Sequence, residues 1–192
     1  MTNFTEIVEQ HQKVISSLEA LFPVMTTLGE EIVRCLKNKG KIIFMGNGGS
    51  AADAQHLAAE FVGRFQLERQ AYSALALSTD TSILTAVAND YGFEHVFSRQ
   101  LEALCSPGDI VIGITTSGKS SNIIRGMEKA HELRCLTAAF TGVSTGNLVQ
   151  QIVQYCLTVD SSVTARIQEA HILIGHALCE WVENKLQADA DV

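Results

Sequence analysis

The stretch Lys41-Ile42-Ile43-Phe44-Met45-Gly46-Asn47-Gly48-Gly49-Ser50 decides the fold of this 192-residue chain. Its run of apolar residues is typical of a buried strand, and the glycines that follow allow a tight turn into a helix. Backbone N–H groups at the start of such a helix are free to bind an anion. The stretch therefore predicts a strand, a turn and a helix. The turn serves either as an anion-binding loop or as a tight connection without a ligand.

The same alternation of strand and helix patterns continues to the end of the chain. Short apolar runs predict five strands at Lys41–Met45, Tyr72–Leu77, Ile110–Ile114, Leu136–Phe140 and Ile152–Val159. Helical patterns follow them at Ser50–Phe65, Glu94–Leu104, Ser121–Leu133, Gly146–Gln151 and Arg166–Lys185. This alternation predicts a parallel sheet covered on both faces. We therefore expect one α/β domain over residues 1–192, a doubly wound, five-stranded parallel sheet flanked by helices.

Two helical patterns precede the first strand and form an N-terminal helical pair over residues 1–39. The first has apolar residues in heptad-like steps, with His11 as the polar exception, at Phe4, Val8, Ile15, Leu18 and Phe22. Pro23 is expected to end this helix, and Gly40 to end the second. The pair suits two arrangements equally: packing against a partner subunit, or covering the chain's own sheet.

Composition and charge exclude several classes of protein. The chain is 46% hydrophobic and 18% charged, with a net charge of −7 and a mean hydropathy of +0.15. These values exclude intrinsic disorder, and the scattered Lys and Arg residues argue against nucleic-acid binding. The longest uncharged stretch, Cys135–Val159, has too many hydroxyl and amide side chains for a membrane helix, and Met1–Gln12 does not resemble a signal peptide. The low charged fraction indicates surface that is hidden against other copies of the chain.

The chain has five cysteines: Cys35, Cys105, Cys135, Cys156 and Cys179. Their number is odd and they form no C-x-x-C pair. This pattern favours buried thiols in a reducing compartment over a disulfide framework or a zinc ribbon.

A second loop with binding potential is Thr115-Thr116-Ser117-Gly118-Lys119-Ser120-Ser121, which follows the third predicted strand. Its five hydroxyl groups at the start of a helix can donate hydrogen bonds to a phosphate. The loop lacks the G-x-x-x-x-G-K-[ST] pattern of a P-loop. The alternative is an ordinary capped helix start, where Ser and Thr are preferred. The density of hydroxyl groups favours phosphate.

The glycine turn also imitates a dinucleotide fingerprint, G-x-G-x-x-A through Ala51. That interpretation requires an acidic residue about 20 positions on, at the end of the second strand. The first acid beyond that strand is Asp80, about 30 positions past the glycines. A nicotinamide-dependent oxidoreductase therefore stays only as a weak alternative.

Six further residues have side chains whose role the sequence alone leaves open. His56 and Glu60, at i and i+4, share one helix face and can ligate a metal or move protons. His176, on a mostly apolar helix with Gln168, would ordinarily be a buried core histidine. Asn89-Asp90, between two helical patterns, would ordinarily be a turn.

Several ordered segments together resemble the sugar-isomerase (SIS) domain family and, within it, the phosphoheptose isomerases. These segments are Gly46–His56 with Glu60 and Gly63-Arg64, Ala88–Phe93, Thr115–Gly118 with Ser120, and Arg166–Glu169. The resemblance implies interconversion of sedoheptulose 7-phosphate and D-glycero-D-manno-heptose 7-phosphate, the first step of heptose synthesis for the lipopolysaccharide of the cell envelope. It also implies a cytoplasmic homotetramer with one zinc ion per subunit.

The resemblance implies roles for individual residues. The metal ligands would be His56, Glu60, Gln168 and His176. The substrate contacts would be Asn47, Gly48, Gly49, Ser50, Glu60, Asn89, Asp90, Thr115, Thr116, Ser117, Ser120 and Gln168. The chain departs from the family pattern at Thr115, where serine is common, and at Ala165, where some members have aspartate. Thr115 retains the hydroxyl group, whereas Ala165 changes a potential sugar contact.

A related branch of the family has lost isomerase activity and binds the replication initiator as a regulatory tetramer. Members resembling that branch lack the Glu60–His176 pair, which is present here. The pair favours the enzyme, with Glu60 and His176 expected to move the protons of an enediol mechanism while zinc polarises the substrate oxygens.

The spacing of Gln168 and His176 adds a constraint. The two are eight residues apart, about 12 Å along an ideal helix and some 80° around it. One metal ion can contact both only if the helix is irregular or if the two come from different subunits. We therefore expect active sites at subunit interfaces.

Overall fold

The computed structural model describes residues 3–144 and 147–190, so the first residue of the predicted Gly146–Gln151 helix lies outside it. The strands are β1 (Ile42–Gly46), β2 (Ala74–Ala76), β3 (Ile110–Thr115), β4 (Leu136–Gly142) and β5 (Tyr155–Val159). All pair in parallel in the order β2-β1-β3-β4-β5. The predicted doubly wound sheet is confirmed. Its order reverses between β1 and β3, where sheets of this type bind ligands.

Helices cover both faces of the sheet. They are α1 (Phe4–Ser17), α2 (Phe22–Lys37), α3 (Gly49–Val62), α4 (Thr81–Tyr91), α5 (Ser98–Leu104), α6 (Ser121–Glu132), α7 (Val149–Ile152) and α8 (Thr164–Ala190). Successive strand residues point to opposite faces. Ile42 and Phe44 therefore pack with the core residues of α2, α3 and α8, whereas Ile43 and Met45 pack with α5 and α6.

The boundary between the first two helices differs from the prediction. A 3-10 turn, Leu18–Leu21, links α1 to α2, and Pro23 lies in the first turn of α2. Proline is tolerated there because the first N–H groups of a helix have no intrahelical partner. Pro23 therefore lies in the first turn of the second helix and does not end the first, so that prediction is wrong.

The two N-terminal helices are buried to different extents. Leu28 and Ile32 of α2 are fully buried in the chain's own core, as the sheet-covering alternative expects. In α1 only Val14 is buried, and Phe4 stays 79% exposed. Phe22, which begins α2, is also exposed.

Helix α4 was not predicted from the sequence, and the expectation that Asn89-Asp90 forms a turn is wrong. Both residues lie in the last turn of α4, whose first turn is capped by Asp80 through a 2.9 Å bond from the Ile83 N–H. No residue of α4 is buried. Leu84, Val87 and Ala88 are half-buried and pack against the core on one face of the sheet, so partial packing and the Asp80 cap together hold the helix.

The predicted ends of two other segments shift. Ile152 belongs to α7 and not to the last strand, and the predicted Glu94–Leu104 helix divides into a 3-10 turn, Phe93–His95, followed by α5. Across the described residues, no helix has the length and apolar character that a membrane span requires.

Candidate active site

The glycine turn after β1 has the predicted form. Gly48 has a φ of +56°, a conformation that favours glycine, and the N–H of Ser50 donates to the carbonyl of Asn47. A Cβ at Gly46 would overlap the backbone of Ser50. The turn therefore requires glycine for steric reasons and opens α3 directly.

The glycine turn and the hydroxyl-rich loop lie side by side because β1 and β3 are neighbours in the sheet. The amides of Asn47 and Asn122 join them by two reciprocal hydrogen bonds of 2.9 Å each. Asn122 is buried and was not identified from the sequence. Its only signal is its position in the first turn of the predicted helix.

The hydroxyl-rich loop divides into an inward and an outward part. Thr115 is buried, and its Oγ1 accepts the Gly118 N–H at 3.3 Å and lies 3.5 Å from Ser120 Oγ. Thr116, Ser117 and Lys119 line an open cavity of about 600 Å³. Lys119 was missed in the sequence, although its ammonium group suits the phosphate predicted there.

Three of the four predicted metal ligands converge in one chain. The Nε2 atoms of His56 and His176 lie 2.8 Å apart, and His56 Nε2 lies 3.3 Å from Glu60 Oε1. The ligand atoms of all three residues lie within 4.8 Å of one another. His176 is partly exposed, so the core histidine that its helix pattern would ordinarily indicate is a different residue, His171, which is fully buried.

The donor set of this cluster fits a zinc ion. Two imidazoles and one carboxylate form the His₂Glu set of many catalytic zinc sites, which leaves a coordination position open. The partly exposed position of the cluster leaves space for a substrate oxygen or another ligand.

Gln168 lies apart from the cluster within the same chain. A Cβ at Gly49 would overlap its side-chain amide, which places Gln168 beside the first turn of α3. Gly49 precedes His56 by seven residues, about 10 Å along an ideal helix.

Asn89 and Asp90 also lie outside the group. Both are exposed, and Asn89 donates to Asp90 at 2.8 Å. In residues 3–144 and 147–190, no hydrogen bond joins either of them to the two loops or to the cluster.

Two charged groups near the site bear on its chemistry. Burial raises the pKa of the Asp53 carboxyl, with nearby His56 opposing the shift. Asp80, the acid that a dinucleotide site would need, accepts the Ile83 N–H as the cap of α4. It is therefore engaged locally, and the dinucleotide alternative loses its support.

The cavity of about 660 Å³ at the amino ends of the strands is distinct from this site. Its lining includes Arg34, Cys35, His131, Arg134 and Cys135, and none of the predicted site residues. Parallel sheets of this type bind ligands at the opposite edge, where the glycine turn and the hydroxyl-rich loop lie.

Comparisons with known proteins agree with this arrangement. The SIS domain family profile matches residues 6–142. A phosphoheptose isomerase of Aquifex aeolicus is 61% identical over 152 residues, 79% of each chain. Phosphoheptose isomerase 1 of Campylobacter jejuni is 50% identical over 91% of this chain and 94% of its own. The solved phosphoheptose isomerase of Neisseria gonorrhoeae superposes with a TM-score of 0.88 at 42% identity, covering 94% of this chain and 96% of its own. The chain belongs to the SIS-domain family, in its phosphoheptose isomerase branch.

Proposed function

We propose that this chain is the ketose–aldose isomerase that interconverts sedoheptulose 7-phosphate and D-glycero-D-manno-heptose 7-phosphate. The observation that carries the proposal is the convergence of His56, Glu60 and His176 from two helices. Relatives that match most of the chain are phosphoheptose isomerases, and the regulatory alternative is not favoured. The reaction supplies a heptose precursor for the cell envelope.

The phosphate would bind at the two loops that meet between β1 and β3. Thr116, Ser117 and Ser120 provide hydroxyl groups, and the backbone N–H groups of Gly48 and Gly49 lie at the start of α3, where the Ser50 side chain is buried. Both α3 and α6 begin at these loops, and helix starts favour anions. Lys119, which lines one cavity with Thr116 and Ser117, adds a positive charge to the hydroxyl-rich loop.

The spacing between loops and cluster suits a long sugar phosphate. The cluster lies about 10 Å along α3 from the glycine turn, if α3 is ideal. In the proposed substrate the phosphate is on C7, whereas the reacting carbons are C1 and C2, at the other end of the chain. A site with separate phosphate and reaction ends supports a seven-carbon substrate.

The reaction moves two protons. From the ketose, one group removes a proton from C1 and another protonates the carbonyl oxygen on C2, which gives the enediol. The aldose then forms when a proton is returned to C2 and the C1 hydroxyl loses its proton. The Glu60 carboxylate and the His176 imidazole are the proposed groups for these two transfers. Asn89, Asp90 and Gln168 are proposed to contact the sugar.

A zinc ion would be held by His56, Glu60 and His176, one ion per subunit. When bound, zinc polarises the carbonyl and hydroxyl oxygens of the substrate. Gln168, which lies beside Gly49 in its own chain, is proposed to complete the site of another copy.

We infer a cytoplasmic homotetramer of single-domain chains with active sites at subunit interfaces. Unburied apolar side chains support this assembly: Phe4, Phe22, Tyr91 and Phe93 are all more than half exposed. Helix α4 has no buried residue, and residues 3–39 leave part of their apolar surface uncovered. These surfaces and the separate positions of Gln168, Asn89 and Asp90 are what an interfacial site requires.

The direct test is incubation with sedoheptulose 7-phosphate, with and without a chelator, while the aldose heptose phosphate is measured. We expect turnover that the chelator abolishes and zinc restores. If the folded, zinc-supplemented protein shows no turnover, the proposal is contradicted and the regulatory tetramer is favoured instead.

A further inference from the structure

A buried ion pair lies directly beyond the His56–Glu60–His176 cluster. Arg69 Nε lies 2.8 Å from Glu183 Oε1, and the two side chains are only 3% and 2% exposed. Arg69 belongs to residues 63–70, here called the strap, which follows α3. Glu183 belongs to α8. The pair thus joins the two helices that carry the cluster.

Glu183 holds the strap by its backbone. Its carboxylate accepts the N–H groups of Phe65 at 3.1 Å, Gln66 at 2.8 Å and Leu67 at 2.9 Å, in addition to Arg69. Burial would raise the pKa of Glu183, but these donors together lower it below its usual value. The carboxylate is therefore charged and its hydrogen bonds are directional.

Arg69 holds the end of α3. Its guanidinium donates to the carbonyl of Glu60 at 2.8 Å and to that of Phe61 at 3.0 Å. The last carbonyls of a helix have no intrahelical partner, and Arg69 supplies one. Glu60, a residue of the cluster, is thus fixed through its own main chain.

Glu183 is linked to His176 through the strap. It lies seven residues after His176, two turns along the same face of α8. The strap that it holds places the Phe65 ring against the His176 imidazole, with ring centroids 5.4 Å apart. The imidazole is therefore supported by an aromatic ring whose backbone is bound to Glu183.

We propose that Arg69 and Glu183 are positioning residues for the metal and substrate site. The ion pair and its hydrogen bonds set the position of α3 relative to α8 along the helix axes. Through Phe65 they also set the orientation of the His176 ring. Two buried charges are an inefficient way to gain stability alone, since apolar residues often do as well. A directional network is useful where three ligand atoms from two helices must converge. This inference rests on the proposed function.

The test compares Glu183→Gln with a matched control, Asp109→Asn. The Asp109 side chain is also 2% exposed and accepts two backbone N–H groups, of Lys41 at 3.0 Å and Ser106 at 2.7 Å, and the Lys41 ammonium at 2.6 Å. Those partners lie outside α3 and α8. For each protein one measures the zinc Kd by competition with a chromophoric chelator without substrate, the Tm, and kcat and KM separately.

We expect both variants to lower the Tm, and only Glu183→Gln to weaken zinc binding, by about 10–100-fold, as for other residues that support metal ligands. Its kcat should fall while its KM changes little, because the phosphate loops are remote from the pair. Zinc affinity equal to that of the wild type, or equal losses in both variants, would overturn the inference.

Two milder variants decide the question if Glu183→Gln does not fold. Phe65→Leu removes the ring from His176 and leaves the ion pair, and Arg69→Lys keeps the charge but loses the guanidinium contacts. Weakened zinc binding in either one supports the inference, and wild-type affinity in both overturns it. If the wild-type protein neither binds zinc nor turns over the substrate, that result refutes the proposed function itself.

Discussion

Glu183 and Asp109 are two buried carboxylates with nearly the same local chemistry. Each accepts backbone N–H groups, each pairs with a buried or half-buried cation, and each has a side chain that is 2% exposed. They differ in what they join. Asp109 joins the starts of β1 and β3 at the amino edge of the sheet, whereas Glu183 joins the strap and α3 to α8.

The difference teaches that the role of a buried charge follows from the elements it connects. Around Asp109 the partners are main-chain groups of the sheet edge and the ammonium of Lys41, so its expected contribution is stability. Around Glu183 the partners lead within one or two contacts to Glu60 and His176. The following predictions test this division between a supporting region and a region that also positions reactive groups.

The largest effect is expected from the cluster itself. Glu60→Gln and His176→Ala should each lower kcat by about 10²–10⁴-fold, since each removes a proton-transferring group. His131→Ala, at the amino-edge cavity, is the matched control and should leave kcat unchanged. Steady-state kinetics and circular dichroism are the measurements. Wild-type turnover by a folded Glu60→Gln or His176→Ala protein would show that the cluster is not catalytic.

A second prediction compares the two histidines of α8, His176 in the cluster and His171. His171 faces the sheet and packs against Phe140. Burial lowers the pKa of His171 to about 4, although the Thr141 backbone raises it slightly. Protonation therefore favours the unfolded chain, where the pKa is near 6.5. Stability from this source is complete above pH 6.5 and is lost as the pH falls toward 4, by up to about 3 kcal/mol.

Urea unfolding between pH 4 and 7.5 measures this effect. The His171→Leu variant should have a flatter dependence of the free energy of unfolding on pH than the wild type. An unchanged dependence would mean that other groups cause the acid sensitivity.

A third prediction compares two buried glycines on opposite faces of the sheet. A Cβ at Gly175 would overlap Leu57 between α8 and α3, and one at Gly126 would lie 2.7 Å from Met45 in the other core. Alanine at either position should destabilise the protein by about 1–3 kcal/mol. Only Gly175→Ala should also weaken zinc binding, as measured with the competing chelator. Equal zinc affinity in both variants would show that helix spacing does not control the cluster.

The smallest effect is expected at the phosphate end. Lys119→Ala should raise KM by about 10-fold with little change in kcat, because one charge-assisted hydrogen bond is lost in ground and transition state alike. Lys185→Ala, on the exposed surface of α8, serves as the control. A fall in kcat without a change in KM would place Lys119 at the reacting end.

Much of the fold could be predicted from local patterns. The five strands have short apolar runs, and the glycine turn and hydroxyl-rich loop follow β1 and β3 directly. That the two loops lie side by side follows from the strand order, which the structure reveals. Helix α4 was missed because its apolar residues Leu84, Val87 and Ala88 form only a short, half-buried stripe, and a single cap, Asp80, marks its start.

The site was less predictable where it depends on contacts distant in sequence. His56 and Glu60 share a helix face and could be paired from their spacing alone. Arg69 and Glu183 are 114 positions apart, and no local pattern links them. Their pairing follows from the parallel course of α3 and α8, which only the folded chain reveals.

The close approach of those two helices at Gly175 also bears on which ion the cluster would select. Zinc–nitrogen bonds are about 2.0–2.1 Å, whereas calcium requires ligands at 2.3–2.6 Å. Helices held closely together by a residue without a side chain favour a small ion, since the ligand atoms cannot easily separate. Ion size discrimination would then depend on a glycine next to His176 as well as on the chemistry of the ligands.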